Sequence, residues 1–137
     1  MPERAPHVAL LQENQAAGGV RVISQLLCQG LRQQGWTVTA LALNQTRWLD
    51  LLRQSARADV LLAGHNFKPA YVAWLIGRLL RKPVVVWVHG PLDQVLDQAR
   101  ANGLKRAWLR WLYRQLPCLV FVSQAAQAAF LRFMQTP

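Results

Sequence analysis

The segment Pro83-Val84-Val85-Val86-Trp87-Val88-His89-Gly90-Pro91 constrains this chain more than any other. Four valines and a tryptophan in consecutive positions make a strand, because β-branched and aromatic side chains suit a pleated surface. The run has no polar alternation, so neither face can lie in water. A parallel sheet with helices on both sides meets that need. Pro83 has no N–H to give a ladder and fits the first position, while Gly90-Pro91 stop the strand. Each buried side chain contributes roughly 1.5–3 kcal/mol, which predicts a place inside the sheet and not at its edge. His89 then emerges at the carboxyl end, where open parallel sheets bind ligands.

The rest of the chain repeats that unit. Residues 8–11 read as a first strand, followed by a loop ending in Gly18 and Gly19. Val20, Ile23, Leu27 and Leu31 then recur at helical spacing, and Gly35 is a natural stop. Strand two covers 36–43, a short helix 48–57, and strand three 59–64. Pro69 suits the first turn of a helix running to about Leu80. A short helix is expected over 93–100 and a clearer one over 104–116, with strand five over 118–122. Ser123 is placed to cap a last helix with Ala126, Phe130 and Phe133 on one face.

Five strands alternating with helices predict a single α/β domain over 1–137. Its form is a Rossmann-like open parallel sheet with right-handed crossovers and helices on both faces. The expected strand order is 3-2-1-4-5, with a switch point between strands one and four. That order sets Gly18-Gly19 beside His89-Gly90.

Composition narrows the partners. Apolar residues are 53% of the chain and charged ones 16%, as in a globular domain with a real core. Sixteen basic residues against six acidic give a net charge of +10. That balance favours an anionic partner, or serves solubility alone. No helix-turn-helix, RNP-like or zinc motif accompanies it, so nucleic acid is not expected as a partner. Cys28 and Cys118 lack metal or CxxC spacing and read as buried free thiols of a reducing cytoplasm. The start has no secretory h-region, and the longest uncharged apolar run, 70–77, is far shorter than a spanning helix. The expected location is cytoplasmic and not integral to a membrane.

The chemistry of the expected crevice rests on a few groups. Gly18-Gly19 at a helix start lets a ligand approach bare backbone, where N–H groups and the helix dipole favour phosphate. The same pair also serves a tight turn that binds nothing. The loop is neither GxGxxG nor a P-loop, and strand two ends without the carboxylate that binds a ribose. His89 is suited to bond a sugar hydroxyl or phosphate, to act as acid or base near neutral pH, or merely to cap the strand end. His65 and Asn66 stand at the equivalent end of strand three and edge the same cleft, although Asn66 also reads as a helix cap. No cluster has metal-ligand spacing, and Asp93/Asp97 read as a solvated face.

The 104–114 segment is basic and rich in tryptophan. Arg106, Arg110 and Arg114 stack at i, i+4, i+8 on one face, with Leu104, Trp108, Trp111 and Leu112 on another. Such a helix either lies on an anionic bilayer or packs its tryptophans on the sheet as a crossover. Both hold if only the arginines and part of Trp111 reach lipid.

Together the features resemble the N-terminal domain of a GT-B retaining glycosyltransferase of the group 4 type. The resemblance is carried by Gly18-Gly19 after strand one and by Leu31, Gly35, Trp36 and Val38 entering strand two. Pro83-Val84-Val85 through His89-Gly90 and the Val120, Val122, Ser123 exit from strand five complete it. It implies sugar transfer from a nucleotide-sugar to a saccharide or lipid-linked acceptor of the cell envelope, across a cleft between two domains. The nucleotide-sugar is a co-substrate, and no metal or other cofactor is implied. His89 would touch the transferred sugar as the catalytic-site residue, with Gly18, Gly19, His65, Asn66, Gly90 and Ser123 as substrate contacts. The donor domain with its paired glutamates is not contained in 1–137 and is expected as a fused or separate partner, without which the chain is inactive. The net charge and the Arg106/Arg110/Arg114 face motivate a peripheral position for such a domain, at the inner face of the membrane. The other reading is a noncatalytic module that binds a phosphorylated ligand.

Overall fold

A computed structural model describes residues 5–12, 19–65, 68–88, 100, 102–116 and 118–135, with backbone only at 19–21 and 23. Its strands are β1 (His7–Gln12), β2 (Thr37–Ala42), β3 (Val60–Ala63), β4 (Val84–Val88) and β5 (Cys118–Phe121). Its helices are α1 (Gly19–Gln33), α2 (Trp48–Arg57), α3 (Lys68–Leu80), α4 (Gly103–Gln115) and α5 (Gln124–Gln135). The helix expected over 93–100 lies outside the described residues, apart from Arg100.

All five strands run parallel in one sheet, in the order β2-β1-β3-β4-β5. The architecture is the expected one, but the order is not 3-2-1-4-5. Edge tolerance explains the difference. In β2, Thr37 and Ala40 are exposed and Thr39 is half-buried. In β3, Leu61 and Ala63 are fully buried. The strand with polar alternation takes the edge, and the purely apolar one crosses over β1 to the interior. A polar link at the amino end fixes this choice. The His7 backbone N–H donates to Asp59 Oδ2 at 2.9 Å, and the Asp59 N–H donates to His7 O at 2.7 Å.

Because the chain steps one way from β1 to β2 and the other way afterwards, right-handed crossovers divide the helices between faces. The larger core joins Ala9, Leu11, Leu61, Ala63, Val84, Val86 and Val88 to α2 through Leu51, to α3 through Ala73 and Ile76, to α4 through Leu109 and Leu112, and to α5 through Phe130 and Phe133. The opposite face holds a smaller cluster, in which Cys28 and Leu31 of α1 meet Leu10, Val38 and Leu62. Beyond α1, an apolar trough of about 650 Å³ runs over Val60, Leu62, Val85, Trp87, Val120 and Val122. Val85 and Trp87 are therefore half-buried, while Val84, Val86 and Val88 beneath the other face are buried. Cys28 is buried, and burial pushes its thiol pKa up against the lowering pull of Arg32. Cys118 is exposed on the edge strand, contrary to the expectation of two buried thiols.

Two helices end on left-handed residues. Gly35 has φ +89°, and the Trp36 N–H returns to Leu31 O at 2.9 Å. Arg81 does the same for α3 at φ 55°, with Lys82 N–H on Gly77 O at 3.0 Å. Gly77 itself lets α3 lie against β4. A Cβ there would run into Val84 Cγ2 and approach Lys82 O to 3.1 Å. Gly77→Ala is expected to lower stability by about 1–3 kcal/mol despite alanine's better helix propensity. A denaturant melt equal to or above wild type would refute this contact.

Candidate functional site at the carboxyl rim of the sheet

Parallel pairing sends every carboxyl end to one rim, and each following helix starts there with unpaired N–H groups and the positive end of its dipole. The winding reverses between β1 and β3, so the switch-point crevice of this sheet lies at their two carboxyl ends. Gly64 closes that pair tightly. Its N–H donates to Leu11 O at 2.8 Å, and a Cβ on it would sit 3.4 Å from Leu10 Cδ1 and from Leu11 O. His65 follows directly and is half-buried.

The strand order changes which expected residues meet. Gly19 opens α1 as the sequence suggested, and Gly18 lies outside the described residues. The carboxyl end of β1 is neighboured by the end of β3, which His65 follows closely, and not by the end of β4. His89, Gly90 and Asn66 lie outside the described residues. The β4 end that His89 follows stands two strands from β1, about 10 Å along the rim. Ser123 follows β5 on the far edge, three strands from β1 and about 14 Å away. Its Oγ accepts the Ala126 N–H at 3.0 Å, which is the expected cap of α5.

The basic helix also differs from its reading. Leu109, Leu112 and Tyr113 bury against the core, while Trp108 and Trp111 turn sideways onto α3. Arg110 does not face outward. Its Nε–H donates to Phe133 O at 2.9 Å, and its guanidinium lies 4.6 Å from the Phe133 ring centroid. The expected arginine face is thus split: Arg110 ties α4 to α5, Arg106 is half-buried, and Arg114 is exposed.

Sequence reasoning missed His7. Its Nε2 pairs with Thr39 Oγ1 at 2.7 Å and its Nδ1 lies 3.2 Å from Arg57 O. This is the amino end of the sheet, opposite the rim, so the imidazole serves as a structural tie. The polar alternation of β2 was the signal that could have revealed its partner. Among the described residues, no group of three or more His, Cys, Asp and Glu could hold a metal ion.

Such a fold is that of a Rossmann-like α/β domain. Residues 41–137, more than half of the chain, match the model of Glycosyltransferase Family 4, and the chain belongs to that family. Among solved structures, glycerol dehydrogenase from Schizosaccharomyces pombe is similar at a TM-score of 0.51 and 17% identity, over 61% of this chain and 22% of that one. The chain thus spans about a fifth of that enzyme, and the likeness concerns the fold alone. No curated protein matches the sequence.

Ser123→Ala is expected to cost about 1 kcal/mol through loss of the α5 cap. A denaturation midpoint indistinguishable from wild type would show that Ser123 Oγ does not hold the helix.

Proposed function

We propose that this chain is the acceptor-side domain of a GT-B, retaining glycosyltransferase. It takes part in transfer of a sugar from a nucleotide-sugar to a saccharide or lipid-linked acceptor of the cell envelope, on the cytoplasmic side. The observation that carries this reading is the Glycosyltransferase Family 4 match over 41–137. The match is joined to a sheet whose switch point lies at the carboxyl ends of β1 and β3, with Gly64 and His65 directly after β3. The α1 N-terminus at Gly19 supplies a positive dipole end suited to a phosphate or a developing leaving group. His65 is suited to hydrogen-bond a hydroxyl of the acceptor, with Asn66 beside it in sequence. His89 and Gly90 would contact the transferred sugar from the loop after β4, and Ser123 would mark the outer limit of the cleft. A second, donor-binding domain, in the same polypeptide or another, would hold the nucleotide. No metal or other cofactor is invoked.

The test separates acceptor from donor. Titration with soluble envelope saccharides is expected to shift the backbone amide signals of Gln12, Gly64 and His65. His65→Ala should weaken that binding by about tenfold, the loss of one charge-assisted or well-made hydrogen bond. Nucleotide-sugars are expected to bind poorly and not to be turned over by this chain by itself. Turnover without a second domain, or shifts confined to His7 and Thr39 at the opposite end, would contradict the reading. Tight binding of a simple phosphorylated compound with no response to saccharides would favour a noncatalytic module instead.

A further inference from the structure

Four aromatic rings form a ledge across α3 and α4. Trp108 stacks on Trp111 at 5.1 Å and 20°, and Trp111 meets Trp74 edge to face at 5.2 Å. Tyr71 closes the circuit, 5.6 Å from Trp108 and 6.3 Å from Trp74. Mutual contact holds the rings in place, yet three of them remain in water: Tyr71 is 39% exposed, Trp108 41% and Trp111 42%. Leu104, one turn before Trp108 on the same stripe, is 80% exposed. Trp74 Nε1 is buried without a hydrogen-bond partner among the described residues, where that ring's contacts are with other rings.

The two helices that carry the ledge bear charge of one sign. Neither α3 nor α4 contains an aspartate or glutamate. Lys68 and Arg78 lie three residues before and seven after Tyr71, on its helical stripe. Lys105 lies three before Trp108, and Arg114 three after Trp111. All four basic residues are exposed. Among the described residues no helix is long and apolar enough to cross a membrane.

We infer that the Tyr71/Trp74/Trp108/Trp111 ledge is a docking surface for an anionic lipid bilayer, with Leu104 entering the interface and Lys68, Arg78, Lys105 and Arg114 meeting lipid phosphates. Tyrosine and tryptophan settle at headgroup depth, with the ring body apolar and the N–H or O–H wet. Exposed leucine adds buried apolar area, and each nearby cation adds attraction to anionic headgroups. A platform for stacking soluble sugars would need side-chain amides or carboxylates beside the rings to take hydroxyls. α3 has none, and α4 has only Gln115, at its last residue. The surface differs from the arginine face expected from the sequence, since Arg110 is spent on Phe133. The ledge also begins close to the rim: α3 starts at Lys68, three residues after His65. An acceptor anchored in the bilayer would meet both. The docking inference itself does not depend on sugar transfer.

Flotation of the purified chain with vesicles tests it, comparing pure phosphatidylcholine with phosphatidylcholine containing about a third phosphatidylglycerol. Wild type is expected to float with the anionic vesicles and not with the neutral ones. Leu104→Glu, at a position too exposed to affect folding, should lower the bound fraction by about tenfold with an unchanged melting temperature. Trp108→Ala combined with Trp111→Ala should abolish flotation. Arg110→Gln should lower the melting temperature and leave flotation as in wild type. Failure of wild type to float, or equal flotation of Leu104→Glu, overturns the inference. So does a tryptophan emission shift produced by soluble saccharide and not by vesicles, which would assign the ledge to carbohydrate.

Discussion

A parallel strand cannot be followed by a tight turn, so every connection in this sheet must cross a face and bury one side of a helix there. That constraint orders the rest. Val84, Val86 and Val88 point to the face carrying α2 to α5, and Leu10, Val38 and Leu62 to the face carrying α1. The single reversal of winding, between β1 and β3, decides both which face each helix covers and which two strand ends stand at the switch point. Fold and candidate site therefore have one cause.

Much of the local structure was legible. The valine run of β4, the three-and-four spacing of α1, the left-handed stop at Gly35 and the Ser123 cap all follow from short-range chemistry that the sequence displays. The order of strands was not, because it depends on a comparison between distant segments. Thr37 and Thr39 against Leu61 and Ala63 contain the answer, but only when edge tolerance is weighed across strands. The bond from His7 N–H to Asp59 spans 52 residues and leaves no local trace. For the same reason the stripe of Arg106, Arg110 and Arg114 looked outward until α5 came to rest beside it. A helical wheel shows which residues share a face, and nothing about what that face meets.

The site changed with the topology. With β3 between β1 and β4, the strand end beside that of β1 is the one that His65 follows, and the end of β4 stands one strand further along than the sequence suggested. The family relationship is unaffected, since it rests on 41–137 and not on one pair of loops. What shifts is the expected division of labour along the rim, from two adjacent loops to three in sequence. The aromatic ledge on α3 and α4 adds a second surface with its own chemistry. It starts on the same helix that begins after His65.

The central claim is that β1 and β3 are neighbours whose carboxyl ends frame the crevice. A Cβ at Gly64 lies 3.6 Å from the Gln12 Cβ, within the separation of about 3.5–4.5 Å that a disulfide spans. Gln12→Cys with Gly64→Cys, in a chain whose Cys28 and Cys118 have been replaced, should oxidise to an intramolecular disulfide in the folded protein, visible by mass after peptide mapping. An order of 3-2-1-4-5 would put β2 between them, about 10 Å apart and out of reach. Absence of the cross-link in folded protein would contradict the topology and the site built on it.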